Sequence, residues 1–240
     1  MAALHRATSI IRNEGVFGLS KREKKAYDGI YNRYIKRILD CIISGVALLF
    51  IWPLYLIIGA LIVAEDGFPV FYRAERGGYK GKTFRICKFR TMVKNADKIG
   101  GGTTALNDPR ITKIGNTLRK TKLDEIPQLG QVFLGSMSVI GPRPELLKYT
   151  DRYSPELLEI LEVRPGISDK SSVKFISLDE IVGTDNAEQM YEELVLDKKN
   201  ALRLEYARTV SFRTDVCILF QTLAAVAKKA GRFFFKKDQK

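Results

Sequence analysis

The longest apolar stretch of the chain runs from residue 41 to residue 64, CIISGVALLFIWPLYLIIGALIVA, and holds no charged residue. As an α-helix it would be about 36 Å long, enough to cross the hydrocarbon core of a bilayer with some tilt. It begins about 40 residues into the chain and is longer than the apolar core of a signal peptide, so it does not fit that class. We predict a membrane anchor over residues 33–66.

Both flanks of this stretch are basic, with Lys and Arg recurring through residues 21–37 and again through residues 73–90. Because Lys and Arg mark the cytoplasmic side, a spanning helix would carry contradictory orientation signals at its two ends. Pro53, directly after Trp52, removes a helical hydrogen bond and favours a kink or a break. We predict a re-entrant helix-break-helix anchor that enters and leaves by the cytoplasmic face. A kinked spanning helix is the alternative, since membrane helices tolerate proline.

Outside the long apolar stretch, hydrophobic residues recur with the short periods of strands and helices. Residues 68–92 are typical of two strands around a glycine-rich turn, and the apolar spacing becomes helical from residue 123. Residues 201–229 predict one long amphipathic helix, and the basic tail that follows, with three consecutive phenylalanines, is typical of a segment on an anionic membrane surface. The predicted fold class is α+β, mainly helical. The predicted domains are a polar N-terminal tail (1–32), the anchor (33–66), a small cytoplasmic domain with a short β-hairpin and interfacial amphipathic helices (67–200), and a C-terminal amphipathic helix with a basic, aromatic tail (201–240).

Composition narrows the chemistry that this pattern can support. The formal net charge is +13, from 40 Lys and Arg against 27 Asp and Glu, which calls for nucleic acid, an anionic membrane face or phosphorylated substrates as partners. The three cysteines lie far apart and argue against a disulfide framework or a thiolate zinc site. The only histidine is His5 in the tail, which argues against histidine-based catalysis. The anchor favours lipid over nucleic acid.

The segment KLDEIPQL, residues 122–129, places two adjacent acids in a basic neighbourhood. If Asp124 caps a helix, the positive field of the helix end, together with Arg119 and Lys122, should depress its pKa and keep it ionised. An ionised, oriented carboxylate can attack phosphorus, and it can also hold Mg²⁺ together with a substrate phosphate. Glu125 points elsewhere on the turn and would position a ligand or handle a proton. Plain helix capping is the alternative.

The motifs around this pair resemble those of a known family. RKTKLDEIPQLGQVFLGSMSVIGPRPE, preceded by FRICKFRTM and NDPRITKIGNTLRK and followed by VRPGIS, looks like the signature of the bacterial sugar transferase family. These are polyprenol-phosphate phosphoglycosyl transferases with a monotopic membrane anchor. The resemblance covers roughly residues 33–215. The length resembles that of the small form, which is little more than the catalytic core.

The resemblance implies transfer of a sugar 1-phosphate from a UDP-sugar to a polyprenol phosphate such as undecaprenyl phosphate, with release of UMP. The product would serve a bacterial surface glycan, such as exopolysaccharide, capsule, lipopolysaccharide O-antigen or a glycoprotein glycan. Residues 67–200 would be the catalytic domain on the cytoplasmic face of the inner membrane. The residues implied are Asp124 and Glu125 as the catalytic pair, Asp124 as nucleophile and ligand of Mg²⁺, Arg119 and Arg143 as phosphate clamps, and Lys88, Arg90 and, more weakly, Arg164 as pocket residues.

A second hypothesis comes from a different class of protein. A membrane-tethered, non-enzymatic binding module could recruit anionic partners through the same basic surface, but it leaves the LDEIPQ and GPRP motifs unexplained. Under either hypothesis we expect anionic membrane lipids as partners and no nucleic acid; a homo-oligomer is left open. The segment DKSSVKFISLDE, residues 169–180, departs from the common family continuation, so the sugar of the donor is not specified.

Overall fold

The computed structural model describes residues 25–99 and 103–237, so most of the predicted N-terminal tail lies outside the described residues. The described part is mainly helical, with two small two-stranded sheets. This agrees with the predicted α+β class. The α-helices and strands are α1 (Lys36–Asp66), β1 (Phe71–Gly77), β2 (Thr83–Phe89), α2 (Ala96–Ile99), α3 (Lys113–Thr121), α4 (Gln128–Leu134), β3 (Ser138–Ile140), α5 (Leu147–Thr150), β4 (Gly166–Ser168), α6 (Lys170–Lys174), α7 (Leu178–Val182), α8 (Ala187–Tyr191), α9 (Asp197–Thr209) and α10 (Phe212–Lys237).

Helix α1 contains the apolar stretch and runs through Pro53 without interruption. With the π-helical turn before it, it forms a helix of 36 residues, long and apolar enough to cross a membrane by length and composition. The predicted break at Pro53 is therefore absent. A proline removes a single helical hydrogen bond, and packing on both sides of it supports the helix, since Ser44 and Ile58 are both buried. Whether both ends of α1 lie on one side of a membrane stays a prediction.

The predicted hairpin is confirmed. Strands β1 and β2 are antiparallel, with Ala74 opposite Ile86, and the connection between them is the predicted glycine-rich turn. The hairpin joins α1 through a small core in which Phe89 packs with Ile58 and Ile62 of α1. The hairpin and the anchor helix therefore form one packed unit, which fixes β2 beside the carboxylate pair.

The C-terminal region contains two helices where one was predicted. Helix α9 ends at Thr209, and α10 begins at Phe212. Ser211 separates the two helices because its side chain and carbonyl oxygen accept hydrogen bonds from backbone N–H groups in the first turn of α10. Serine favours this capping role. The break turns α10 so that Asp215 accepts a hydrogen bond of 2.6 Å from the Tyr206 hydroxyl. The predicted boundary between residues 200 and 201 falls inside α9.

Candidate active site

A large cleft of about 1360 Å³ lies between the hairpin, α3, the segment after β4 and α10. Fourteen basic residues and five acidic residues line it. Such a balance attracts polyanionic ligands, because a recessed site lined by one sign of charge concentrates the potential. The cleft contains the predicted residues Lys88, Arg90, Arg119, Asp124, Glu125 and Arg143.

The carboxylate pair lies in a 3-10 turn, Leu123–Glu125, between α3 and α4. Lys122 ends α3 in the left-handed conformation with φ of 62°, and α4 begins only after Pro127, whose side chain makes no capping bond. The prediction that Asp124 caps a helix is therefore wrong. The left-handed residue inserts an extra turn before α4, so the pair faces the cleft from a tight loop.

Glu125 is held by three cations. Arg143 donates from both Nη atoms to its two carboxylate oxygens, with Nη1 at 2.9 Å from Oε2. Lys88 Nζ lies 3.2 Å from Oε1, and Lys122 Nζ lies 3.8 Å away. Burial alone would raise the pKa of Glu125, but these cations hold it well below its ordinary value. Glu125 is thus an ionised anchor for Arg143 and Lys88.

Asp124 differs from its neighbour in being unpaired. Its Oδ1 is buried and has no hydrogen-bond partner among the described residues. Burial and the charge of Glu125 raise the pKa of Asp124, while Lys88, Lys122 and Arg119 oppose that shift. The predicted depression of its pKa is therefore wrong in direction, because burial and the charge of Glu125 outweigh the nearby cations and the helix end that was expected to add to them is absent. We call Lys88, Asp124, Glu125 and Arg143 the Asp124 cluster.

The GPRP and RPG motifs position Arg143 because their two segments are joined by backbone hydrogen bonds. Strands β3 and β4 are parallel, and Gly141 and Gly166 exchange backbone hydrogen bonds with the opposite segment at 2.9 and 3.0 Å. A Cβ on Gly141 would lie 2.3 Å from the Arg164 carbonyl oxygen, so only glycine allows this approach. The Arg143 side chain then donates to Glu125 and, at 2.8 Å, to the Ile167 carbonyl.

The other predicted arginines have different surroundings. Arg119 lines the cleft, and its guanidinium forms no hydrogen bond or ion pair with a described residue. Arg90 also lines the cleft, but it bonds Asp66 and Gly67 at the end of α1, which makes it a link between β2 and the anchor. Arg164 lies outside the cleft lining; its Nε donates to Gly135 O at 3.2 Å and its guanidinium stacks on the ring of Tyr79.

The predicted anchor residues lie away from this chemistry. Trp52 is 60% exposed and Pro53 is exposed beside it, and neither lines the cleft. They belong to the apolar face of α1, which the described structure leaves uncovered. The residues of that face are Ile38, Ile42, Ile43, Val46, Leu49, Phe50, Trp52, Leu56, Ile57 and Leu61.

Sequence reasoning missed a second cluster at the same cleft, which we call the Arg203 cluster: Glu145, Tyr191 and Arg203, which line the cleft, and the buried Asp169 behind them. Arg203 is 2% exposed and lies 3.0 Å from Glu145 and 3.9 Å from Asp169. Lys199 lies beside it, one turn earlier on α9. Helical spacing could have indicated Lys199 and Arg203, because the i, i+4 positions Val195, Lys199 and Arg203 form one buried face that mixes cations with core residues.

The fit of a divalent metal rests on one carboxylate. Within the described ranges there is no group of three or more His, Cys, Asp or Glu residues that could hold a metal ion. Mg²⁺, however, commonly binds one or two carboxylates together with substrate phosphates. The unpaired Oδ1 of Asp124 fits that role, whereas both oxygens of Glu125 are occupied by Arg143.

A cationic cleft with a buried carboxylate oxygen that has no partner among the described residues, beside a helix long and apolar enough to cross a membrane, is the arrangement expected of an enzyme for phosphorylated substrates at a membrane. The chain belongs to the bacterial sugar transferase family, whose family model matches residues 31–229. The sugar-phosphate transfer predicted from the motifs is thus confirmed at the level of the family and of the enzyme class.

Named relatives agree with this assignment. The chain is 34% identical over 213 residues to the exopolysaccharide production protein ExoY of Rhizobium meliloti, covering 82% of this chain and 88% of the relative. It is 36% identical over 197 residues to the UDP-glucose:undecaprenyl-phosphate glucose-1-phosphate transferase of Escherichia coli, covering 80% of this chain and 40% of the relative. A third, 38% identical over 138 residues, is the UDP-N-acetylgalactosamine-undecaprenyl-phosphate N-acetylgalactosaminephosphotransferase of Aeromonas hydrophila, covering 56% of this chain and 33% of the relative. The second and third relatives are named for different sugars, glucose and N-acetylgalactosamine.

Proposed function

We propose that this chain transfers a sugar 1-phosphate from a UDP-sugar to a polyprenol phosphate, such as undecaprenyl phosphate, and releases UMP. The reaction would begin the assembly of a bacterial surface glycan. The observation that carries the proposal is the unpaired carboxylate oxygen of Asp124 in a cleft lined mainly by cations. The names of the relatives support the donor and acceptor classes.

In the first step, a carboxylate oxygen of Asp124 attacks the phosphorus next to the sugar. A bond forms between that oxygen and phosphorus, and the bond from phosphorus to the bridging oxygen breaks. The electron pair leaves with the bridging oxygen as UMP, and the sugar phosphate stays bound to Asp124. No proton has to move, which suits a site with no histidine among the described residues.

In the second step, an oxygen of the polyprenol phosphate attacks the same phosphorus. The bond to Asp124 breaks, its electron pair restores the carboxylate, and the product is a polyprenol diphosphate sugar. Arg119 has no hydrogen bond or ion pair with a described residue and is available to bind phosphate oxygens throughout. Glu125 holds Arg143 and Lys88 at the cleft, so its contribution is to orient cations.

Asp124 is the residue that would hold Mg²⁺, through Oδ1. When bound, the ion would neutralise charge on the diphosphate and favour the ionised form of Asp124. That second effect is needed, because burial and Glu125 raise the pKa of this carboxyl in the protein alone. Lys88 and Arg119 act in the same direction at a distance.

We also propose that α1 is a monotopic anchor with both ends on the cytoplasmic face of the inner membrane. Support comes from contacts at the two ends of the helix. Asp40 accepts hydrogen bonds from Ser138 and Val139, while Glu65 accepts from the first backbone N–H groups of α3. A perpendicular span would separate its ends by about 30 Å of hydrocarbon, so one folded body could not contact both. The exposed apolar face between them would enter the bilayer.

The reaction is tested by incubating the full-length protein in lipid with a panel of UDP-sugars, Mg²⁺ and undecaprenyl phosphate. We expect repeated turnover, with continued UMP release, only when the acceptor is present. When the acceptor is omitted, we expect one UMP per protein and a gain of one sugar phosphate in protein mass. Donor binding with no UMP release from any sugar would instead support the non-enzymatic binding module. UMP release without any mass gain would contradict the covalent intermediate.

The anchor is tested separately with single cysteines at positions 30 and 70 in a variant whose native cysteines are replaced. Both positions should react with a membrane-impermeant thiol reagent only when the cytoplasmic face is exposed. Labelling from opposite sides would show that α1 spans the membrane and would end the monotopic proposal. The catalytic proposal does not depend on this result.

A further inference from the structure

Lys199 is a buried lysine in the wall of the cleft whose ammonium group has no hydrogen bond or ion pair with a described residue. The residue is 7% exposed. Its Nζ lies 4.9 Å from the ring centre of Tyr191 and 5.9 Å from that of Phe175. Burying a charge is unfavourable unless the charge is paired. An unpaired ammonium in a cleft wall therefore points to a ligand that supplies the partner.

The nearest carboxylates are already occupied. Glu145 accepts hydrogen bonds from the Tyr191 hydroxyl at 2.5 Å and from the backbone of Leu146 at 3.1 Å, and it forms an ion pair with Arg203 at 3.0 Å. These interactions leave Lys199 without a direct carboxylate partner among the described residues. Burial together with Arg203 lowers the pKa of Lys199 to about 7, although the charge of Glu145 opposes this shift. The neighbouring anions thus do not explain why a lysine is present.

Asp169 is occupied in the same way. It accepts from the Ser171 hydroxyl at 2.9 Å and from the backbone of Arg143 and Ser172 at 3.0 and 2.6 Å. Through its backbone, Arg143 belongs to this wall of the cleft, while its side chain belongs to the Asp124 cluster. A donor whose phosphate lies at Asp124 therefore has Lys199 on the adjoining wall.

The surroundings of Lys199 differ from those of the phosphate-binding cations. Arg119, Lys88 and Arg143 lie around the carboxylate pair, whereas Lys199 lies beside two aromatic rings, one of which, Phe175, is partly exposed in the cleft. Apolar and aromatic surface with a single well-placed donor is typical of a site that orients a small organic group. The ring face suits the C–H face of a sugar, and the ammonium suits its oxygens.

We propose that Lys199 donates a hydrogen bond to an oxygen on the sugar of the nucleotide-sugar donor, with Phe175 against the sugar ring, and so contributes to the choice of donor. This inference rests on the proposed function, since it assumes that the donor binds with its phosphate at Asp124. It assigns a role to a residue of α9 that lies outside every motif singled out in the sequence.

The test compares Lys199→Met with Lys198→Met, an exposed lysine adjacent on the same helix. For the UDP-sugar that the wild-type protein uses, we expect Lys199→Met to raise KM about 10-fold or more, the usual effect of losing a charged hydrogen bond. Lys198→Met should leave KM unchanged. Inhibition by UDP, which has both phosphates but lacks the transferred sugar, should be equal in the wild type and both variants.

Each other outcome overturns the inference. An unchanged KM in an otherwise active Lys199→Met variant removes Lys199 from the donor site. Equal weakening of UDP and UDP-sugar would assign Lys199 to the diphosphate. A large fall in melting temperature for both Lys199→Met and Lys199→Arg would assign it to folding, because removing an unpaired buried charge should cost little stability. A wild-type protein that uses no UDP-sugar would remove the proposed function as well.

Discussion

The Asp124 cluster and the Arg203 cluster lie at the same cleft, with Asp169 buried behind the lining. They contain the same kinds of group, yet they differ in how their carboxylates are paired. Both carboxylates of the Arg203 cluster, Glu145 and Asp169, accept several hydrogen bonds from side chains and backbone. In the Asp124 cluster, Glu125 is equally well paired, whereas Oδ1 of Asp124 has no hydrogen-bond partner in the part of the chain that the structure describes. The unpaired Oδ1 of Asp124 therefore distinguishes the Asp124 cluster, which is suited to chemistry, from the Arg203 cluster, whose pairing stabilises the fold.

The difference has a physical basis. A carboxylate whose lone pairs are all engaged by fixed donors is a poor nucleophile, since attack would require those hydrogen bonds to break. An unpaired buried carboxylate destabilises the free protein. The protein recovers that stability when a cation or a phosphorus atom approaches the carboxylate. The two clusters should therefore respond oppositely to substitution, one in rate and the other in stability.

The largest expected effect is that of Asp124→Asn. An amide cannot form the bond to phosphorus, so turnover should fall about 1000-fold or more. Stability should stay the same or rise, because the change removes an unpaired buried charge beside Glu125. UMP release and thermal unfolding of the same lipid-reconstituted sample measure the two quantities.

Asp179→Asn is the matched control, since Asp179 also lines the cleft but already pairs with Lys120 at 3.1 Å. Its rate should stay within about threefold of the wild type, as expected when a partly exposed ion pair is lost. An Asp124→Asn protein that keeps a tenth or more of its turnover would contradict covalent chemistry at Asp124 and, with it, the contrast between the clusters.

Much of the Asp124 cluster was predictable because its members lie in short motifs. Asp124, Glu125 and Arg119 fall within seven consecutive residues, and Arg143 follows in the GPRP motif, so the family signature was sufficient to group them. The local environment was not predictable. The left-handed conformation of Lys122 replaces a helix start with a 3-10 turn, and this conformation depends on tertiary packing that capping rules do not include.

The Arg203 cluster could not be predicted in the same way. Its hydrogen bond between Tyr191 and Glu145 joins residues 46 positions apart. Helical spacing can indicate that Arg203 lies on a buried face, but it does not indicate which distant side chains Arg203 contacts there. The same limit applies to the C-terminal region, where a continuous apolar pattern predicted one helix although Ser211 separates two. Patterns of period 3.6 report which face is apolar and not where tertiary contacts end a helix.

The second prediction concerns the Arg203 cluster. Asp169→Asn should destabilise the protein by about 2 to 3 kcal/mol, because Asp169 is 1% exposed and its amide replacement turns an N–H group toward other donors. At a temperature where the variant is folded, its turnover should stay within about 10-fold of the wild type, since Asp169 does not contact the carboxylate pair. Urea or thermal unfolding measures the first quantity and UMP release the second.

The turnover and stability of Asp169→Asn test the difference between the two clusters directly. If it loses turnover as completely as Asp124→Asn while its melting temperature is unchanged, the Arg203 cluster takes part in the chemistry and the division proposed here fails. A loss of stability with turnover largely retained would sharpen the division, because each cluster would then affect one property only.

The smallest effect is expected for Arg164→Ala. Its guanidinium stacks on Tyr79 with its centre 4.8 Å from the ring centroid and its Nε bonds Gly135 O, both outside the cleft lining. The loss should be about 1 kcal/mol in stability, with kcat/KM within about threefold of the wild type. Arg119→Ala is the matched control. Because Arg119 lines the cleft without a partner among residues 25–99 and 103–237, its kcat/KM should fall about 100-fold. If the two variants lost activity equally, pairing within the protein would no longer distinguish a structural arginine from one that binds phosphate.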